Sequence, residues 1–267
     1  MPVSRPLVTL LTDFGTADGY VGEVKGALLM AVPEADIVDI SHDVPPQDVE
    51  SGRLALARYW RRFPPGTVHL VVVDPGVGAD RAAIAVESAG YALVGPDNGV
   101  LSPALLVPGA VAVALAVPPH AAPTFHGRDV FAPAAAALAL GTGVVELGTP
   151  YEHAVVRRTP EPERWGDGTL RGEVISIDHF GNAVTNVVGL RGGTLEVAGI
   201  VITVSRAYAD VLPGALIAVT GSNGLLEIAE RDGSAARRLG LARGSPVLFR
   251  AKKEKGEKER GERRESH

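Results

Sequence analysis

Two aspartates stand where strand-like runs end, Asp13 after residues 7–11 and Asp74 after residues 68–73, and each has a glycine two residues on. Ligands of parallel sheets bind beyond the carboxyl ends of strands, and glycine lets backbone approach a ligand closely. A carboxylate in that place can take a proton, orient a hydroxyl or hold a cation. Taken alone, either aspartate reads as well as a helix cap or turn former. His126 lies in Thr124-Phe125-His126-Gly127-Arg128-Asp129, at the entrance to an Ala-rich stretch, where an imidazole could serve as a base. The plainer reading is a loop histidine beside a capping Asp129. Arg81 follows Asp74 closely and suits an ion pair with an acid. Further on, Asp178-His179-Phe180-Gly181-Asn182 and Gly221-Ser222-Asn223-Gly224 are ordinary turn chemistry, and singly none of these signals is specific.

These residues need elements to carry them. In the first half, residues 7–11, 37–40, 68–73, 84–87 and 91–94 read as strands. Residues 20–31, 49–60 and 130–140 read as helices, with Val21, Val24, Leu28 and Ala31 on one face of the first. The run 68–73 is apolar enough to be buried on both faces. Strands alternating with helices predict an α/β domain over residues 1–160, Rossmann-like, with a largely parallel sheet. Residues 149–168, with Pro150, Pro160 and Pro162, read as a linker. Beyond it the helical period disappears. Short strands at 173–178, 183–188, 194–197, 200–204, 216–220, 225–228 and 247–250 predict a small β-barrel-like domain over residues 169–250. Residues 251–267 form a charged tail whose mixed signs suit a solvated segment.

Several classes drop out. The 267 residues contain no cysteine, so disulfides, thiolate metal sites and Cys nucleophiles are excluded. A net charge of −5 argues against a dedicated nucleic-acid binder. The apolar run 100–117 is broken by Pro103, Pro108 and Gly109, which argues against a membrane span. Residues 1–7 lack the pattern of a signal peptide, so the expected location is the cytoplasm. Glycine-rich dinucleotide and Walker loops, a Gly-x-Ser-x-Gly elbow and a His-Glu-x-x-His motif are all missing.

Joined in order, the motifs point further. Thr12-Asp13-Phe14-Gly15 is followed by Asp18-Gly19-Tyr20-Val21-Gly22-Glu23-Val24-Lys25-Gly26. Then come Asp74-Pro75-Gly76-Val77-Gly78 with Arg81, Gly95-Pro96-Asp97-Asn98-Gly99, and Phe125-His126-Gly127-Arg128-Asp129. Asp178-His179-Phe180-Gly181-Asn182 and Ser222-Asn223-Gly224-Leu225-Leu226-Glu227-Ile228-Ala229 complete the set. From about Leu7 to Phe249 the chain resembles the S-adenosylmethionine hydroxide adenosyltransferases, relatives of fluorinase and chlorinase. The resemblance implies an N-terminal α/β domain, a C-terminal barrel-like domain, and a homotrimer whose active sites lie between one subunit's N-terminal and a neighbour's C-terminal domain. It implies hydrolysis of S-adenosylmethionine to adenosine and methionine, with no cofactor and no metal.

On that resemblance the hydrolytic triad is Asp74, Arg81 and His126. Halogenating relatives carry tyrosine in place of Asp74 and serine in place of Gly127. Asp13 is implied to hold the ribose hydroxyls, Asp18 and Asp178 the methionine ammonium, Ser222 its carboxylate, and Phe180 and Asn182 the adenine. Two departures stand out: Asn223 replaces an arginine of the fluorinase, and Gln47 replaces a tryptophan of the halogenase pocket. The chemistry suits these groups. The sulfonium leaves as a neutral thioether, so the demand falls on aiming and activating water, which is a poor nucleophile while neutral. His126 is expected to accept its proton, with Asp74 orienting and Arg81 favouring hydroxide. Three other readings stay open: a metal-dependent phosphoesterase ligated by Asp13, Asp74 and His126, a non-catalytic adenosine-binding regulatory module, and a halogenase.

Overall fold

The computed structural model of the chain describes residues 5–189 and 192–252. It divides after Arg158 into two compact units. The expected tail residues 253–267 lie outside the described residues.

The first unit runs β1 (Leu7–Thr12), α1 (Tyr20–Ala31), β2 (Asp36–Ser41), α2 (Val49–Tyr59), β3 (Val68–Val72), β4 (Ala83–Ser88), β5 (Tyr91–Pro96), α3 (Ser102–Leu105), β6 (Val111–Leu115), α4 (Ala132–Ala139) and β7 (Gly148–Pro150). Its sheet has the order β2-β1-β3-β5-β4-β6-β7. Strands β2, β1, β3 and β5 are parallel neighbours, whereas β5-β4-β6-β7 are antiparallel. The α/β class stands, but the parallel share is smaller than expected. The cause is local. Ala89 and Gly90 both take positive φ, 51° and 84°, which makes the two-residue turn of a β4–β5 hairpin. The apolar run 100–117 resolves into helix, turn and strand, because Pro103 starts α3 and Pro108-Gly109 precede β6.

Both faces of the sheet are covered. Val8, Leu10, Leu70 and Val72 pack with Val24 and Leu28 of α1 and Ala135 of α4. Leu11, Val71, Val73 and Leu93 pack with Leu56 of α2 and Ala104 of α3. Burying each such side chain is worth about 1.5–3 kcal/mol. Helix α1 turns only Val24 and Leu28 fully inward; Ala31, expected on the same face, is exposed. Helix α2 starts where Asp48 Oδ1 accepts the Ser51 N–H at 3.0 Å. Gly52 lets α2 sit against the end of β3, since a Cβ there would lie 2.9 Å from Val73 Cγ2.

The second unit holds β8 (Glu163–Arg164), β9 (Leu170–Ile177), β10 (Ala183–Val188), β11 (Thr194–Val197), β12 (Ile200–Ser205), β13 (Leu216–Thr220), β14 (Leu225–Glu230), α5 (Ala235–Leu239) and β15 (Pro246–Arg250). The order β10-β14-β13-β12-β11-β15-β9 closes through β9–β10 pairing into a seven-strand barrel, with β8 added to the start of β9. Its neighbours are antiparallel except β12 and β13. Val174, Val187, Leu195, Leu226 and Phe249 fill the interior. The short α5 was not foreseen; it begins where Ser234 Oγ accepts the Arg237 N–H and ends at left-handed Gly240. Among the described residues no helix is long and apolar enough to cross a membrane.

Candidate active site

Asp13 follows β1, and Asp74 follows Val73 at the end of β3, so the two adjacent parallel strands deliver both carboxylates to one edge of the sheet. The loop after Asp74 returns on itself. Gly78 takes φ +78°, and a Cβ there would lie 2.5 Å from the Pro123 carbonyl, so only glycine fits. That turn brings Arg81 back onto Asp74. Its Nε donates to Asp74 Oδ1 at 3.0 Å and to Oδ2 at 3.1 Å, and Nη2 also donates to Oδ2. The same Nη2 lies 2.9 Å from Nδ1 of His126. His126 is buried at the head of a single π-helical turn, Gly127–Phe131, that leads into α4. The guanidinium lies over the Phe131 ring at 5.3 Å. Arg81 Nη1 is buried and finds no hydrogen-bond partner within the described chain.

The donors fix protonation. A guanidinium has no acceptor, so the His126 nitrogen facing it must be the bare one, and the ring proton sits on Nε2. Burial, and then the charge of Arg81, hold the His126 pKa below its ordinary 6.5. The imidazole is therefore neutral, with its Nδ1 lone pair already in use. In this arrangement Nδ1 of His126 is engaged by Arg81 and Nε2 carries the ring proton.

Asp13 Oδ2 accepts the Gln47 N–H at 2.7 Å. Burial raises the Asp13 pKa and the nearby charge of Asp74 adds to the rise, against the lowering pull of the Gln47 and Asp13 amides. Gln47, singled out as a departure from a tryptophan, meets Asp13 through its backbone. It does so at φ 66°, a left-handed conformation rare for a side-chain-bearing residue. Beside this stand Phe14, Tyr20 and Phe125, edge to face, with ring centres 5.3–6.4 Å apart. A Cβ on Gly127 would meet Phe14 Cζ at 3.2 Å and Phe125 Cε2 at 3.4 Å. Asp18 is exposed ahead of α1 and joins none of these contacts.

In the barrel unit, Asp178 binds its own turn. Oδ1 accepts the N–H groups of Phe180 and Asn182 at 2.9 and 2.8 Å, and Oδ2 accepts Asn182 Nδ2 at 2.9 Å. Asp178 and Asn182, expected to serve different parts of a ligand, are thus each other's partners. Phe180 is 73% exposed at the tip of this turn. Gly181, at φ +83°, packs on Ser234, and its carbonyl accepts the Ala236 N–H at 2.9 Å, so α5 pins the turn. Ser222 is exposed in the β13–β14 turn, where Asn223 Oδ1 accepts the Leu225 N–H at 3.0 Å. Gly221 backs directly onto the buried Glu227 carboxylate. Tyr208, absent from the sequence reading, lies 3.4 Å from Glu227 Oε2 through its hydroxyl. Burial first, then the charges of Glu227 and Asp178, raise its pKa.

Models of the SAM hydroxide adenosyltransferase N-terminal and C-terminal domains match residues 8–148 and 172–248. The chain belongs to the SAM hydroxide adenosyltransferase family. It is 42% identical to a (R)-S-adenosyl-L-methionine hydrolase of Thermus thermophilus over 91% of this chain and 98% of that one. A fluorinase of Nocardia brasiliensis is 29% identical over 91% of this chain and 96% of its own. In three dimensions it is similar to an uncharacterized conserved protein from Thermotoga maritima, with TM-score 0.83 and 32% identity over 91% of this chain and 99% of that one.

The motifs shared with this family do not all reach the charged cluster. In Pro96-Asp97-Asn98-Gly99 the work is structural: Asn98 Nδ2 donates to the Val73 carbonyl at 2.8 Å, fixing the residue before Asp74. Asp97 accepts Tyr151 Oη–H at 2.9 Å and the Val155 N–H at 2.7 Å, which ties the expected linker to the first unit. Arg128 pairs with Glu23 of α1 and with Asp129, both at 2.6 Å, instead of pointing at the triad. His42, at the end of β2, was overlooked. The rule that picked out Asp13 and Asp74, position beyond the carboxyl end of a parallel strand, applies to it equally.

Proposed function

We propose that this protein hydrolyses S-adenosyl-L-methionine to adenosine and L-methionine. The observation that carries the reading is the Asp74–Arg81–His126 cluster, in which one buried arginine binds both an acid and an imidazole. Water aimed by this cluster attacks ribose C5′. The C5′–S bond breaks with its electron pair going to sulfur, so the cationic sulfonium leaves as a neutral thioether without needing an acid. The proton lost by the water passes to the Asp74 carboxylate and on to solvent. Arg81 stabilises the negative charge growing on the attacking oxygen, which typically contributes about 10²–10³ in rate for one donor. His126 holds Arg81 through Nδ1 and acts as a neutral donor through Nε2.

Around this centre, Asp13 binds the ribose hydroxyls and Asp18 and Asp178 the methionine ammonium. Ser222 takes the methionine carboxylate, Phe180 stacks on adenine and Asn182 hydrogen-bonds it, and the bare Cα of Gly127 leaves the space beside Phe14. Because these residues come from both units, we propose a homotrimer in which neighbouring subunits complete each site, acting in the cytoplasm without nucleic acid, membrane, cofactor or metal. Phosphoesterase chemistry is disfavoured by the charge between the supposed ligands. Arg81 occupies the facing atoms of Asp74 and His126, and a cation there would meet a guanidinium.

The test is isotopic. In water enriched in oxygen-18, one labelled atom is expected in the 5′-hydroxyl of adenosine and none in methionine. Label elsewhere, or binding without products, would reject the proposal, the latter in favour of a regulatory module.

A further inference from the structure

The charges of the α1 motif, Glu23 and Lys25, have no part in the chemistry above, yet both lead to the site. Glu23 reaches Arg128, beside Gly127. Lys25 Nζ lies 2.6 Å from Asp39 Oδ2 on β2. The other oxygen of Asp39 is 3.1 Å from His42 Nε2, off the line of an ideal hydrogen bond, and Lys25 and His42 together hold the Asp39 pKa down against the opposing effect of burial. His42 Nδ1 lies 2.8 Å from Thr12 Oγ1, and that oxygen accepts the Phe14 N–H at 3.3 Å. The carbonyl of His42 accepts the Gly15 N–H at 2.8 Å.

The donors set the direction of this chain. Thr12 Oγ1 receives the Phe14 N–H, so its own proton is free to point to His42 Nδ1. The proton of the ring then lies on Nε2, facing the Asp39 carboxylate, which the Lys25 ammonium holds on its other side. Both Thr12 and His42 are buried. Asp13 therefore sits in a backbone segment clamped on both flanks by one histidine, through the side chain of Thr12 before it and the amide of Gly15 after it.

We propose that His42 is a positioning residue for Asp13, acting through Thr12 and Gly15 and itself held by the Asp39–Lys25 pair. This rests on the reading of Asp13 as the ribose-binding carboxylate. A group that binds ribose alike in the ground and transition states should alter KM more than kcat when misplaced. Displacements of an ångström cost up to about a hundredfold.

The experiment measures kcat and KM for S-adenosylmethionine in the full chain and in Thr12→Val, Thr12→Ser, His42→Ala, His42→Asn and Asp13→Ala. Thr12→Val is near-isosteric, and its thermal midpoint separates loss of positioning from loss of fold. Expected is a rise in KM of about tenfold for Thr12→Val and His42→Ala, with kcat within about threefold. Thr12→Ser and His42→Asn, which keep the hydroxyl and an acceptor at the Nδ1 position, should restore KM. In the Asp13→Ala background, Thr12→Val should add nothing further. A KM within about twofold of wild type in Thr12→Val and His42→Ala, or effects that multiply with Asp13→Ala, would overturn the proposal. An Asp13→Ala protein with unchanged KM would instead overturn the ribose reading, and the proposal with it.

Discussion

Arg81 Nη2 lies 2.9 Å from His126 Nδ1, which makes this ring nitrogen an acceptor and leaves His126 neutral with its proton on Nε2. A side chain that keeps a donor where Nε2 stands should therefore preserve more activity than one that only removes bulk. His126→Gln is expected to retain more turnover than His126→Ala, which should lose about 10²–10⁴ in kcat. Steady-state rates of the two variants decide it; a His126→Ala protein as active as His126→Gln would count against the donor role.

The pH dependence has a definite sign. Burial and the Arg81 charge lower the pKa of His126 from 6.5, so the neutral form persists to more acid pH than in an ordinary histidine. The kcat/KM profile should stay flat on descending to pH 6.5 and fall only below it. An acid limb centred above that value would show that the imidazole is not under the influence of Arg81.

A second histidine should govern stability instead. His69 is fully buried on β3, between the rings of Tyr59, Phe63 and Tyr91, with Nδ1 2.7 Å from Thr9 Oγ1. Burial lowers its pKa from 6.5 to about 4. The depressed value means that the unfolded chain takes up this proton first as pH falls. The contribution is full above the unfolded pKa and is lost on descent toward about 4, amounting to roughly 3 kcal/mol. Urea unfolding between pH 7 and pH 4 should show this slope, and His69→Asn should flatten it. An equal slope in the variant would place the acid sensitivity elsewhere.

Gly127→Ser tests the aromatic wall. Its Cβ would press on Phe14 at 3.2 Å and on Phe125 at 3.4 Å, so one of the rings must move. The expected outcome is a several-fold rise in KM with hydrolysis retained, because Asp74, Arg81 and His126 are untouched. Formation of 5′-chloro-adenosine in chloride by this single variant would contradict the view that the acid–arginine–histidine cluster commits the site to water.

Asp97→Ala removes the acceptor of Tyr151 and Val155 from a buried position. Tyr151 is half-buried and Val155 exposed, so water can replace part of what is lost, and a fall of about 0.5–1.5 kcal/mol in unfolding free energy is expected per hydrogen bond. The kcat of the folded fraction should change little. A large fall in kcat without loss of stability would give this aspartate a chemical role.

The amphipathic spacing of residues 20–31 and the β-branched run after Thr67 made the elements that carry Asp13 and Asp74 readable in sequence, and the glycine-punctuated short strands announced the barrel. Pairing direction was less readable, since β6 hides in a run broken by Pro103 and Pro108 that looks like neither helix nor strand. Position beyond a strand or at a helix entrance marked Asp74 and His126 as candidates, and only the family resemblance joined them with Arg81; neither gave the order of their bonds. That order depends on a loop returning through Gly78, a contact between distant segments that no local pattern encodes. The position of His42 after β2 was legible by the same rule as that of Asp13, but its tie to Thr12 crosses from β2 to β1 and exists only once those strands pair. In the barrel, the sequence read Asp178 as ordinary turn chemistry while the resemblance made it a ligand-binding carboxylate, because a turn that consumes its own carboxylate is spelled with the same letters as one that offers it to a ligand.

The most direct test incubates the purified protein with S-adenosylmethionine, follows products by chromatography, and repeats the assay with Asp74→Asn while measuring adenosine binding to both. The account predicts adenosine and methionine in equal amounts from the wild type. It predicts at least a roughly thousandfold lower rate in Asp74→Asn, with adenosine affinity within about threefold. Wild-type turnover in Asp74→Asn, or no products from a wild-type protein that binds adenosine, would contradict it.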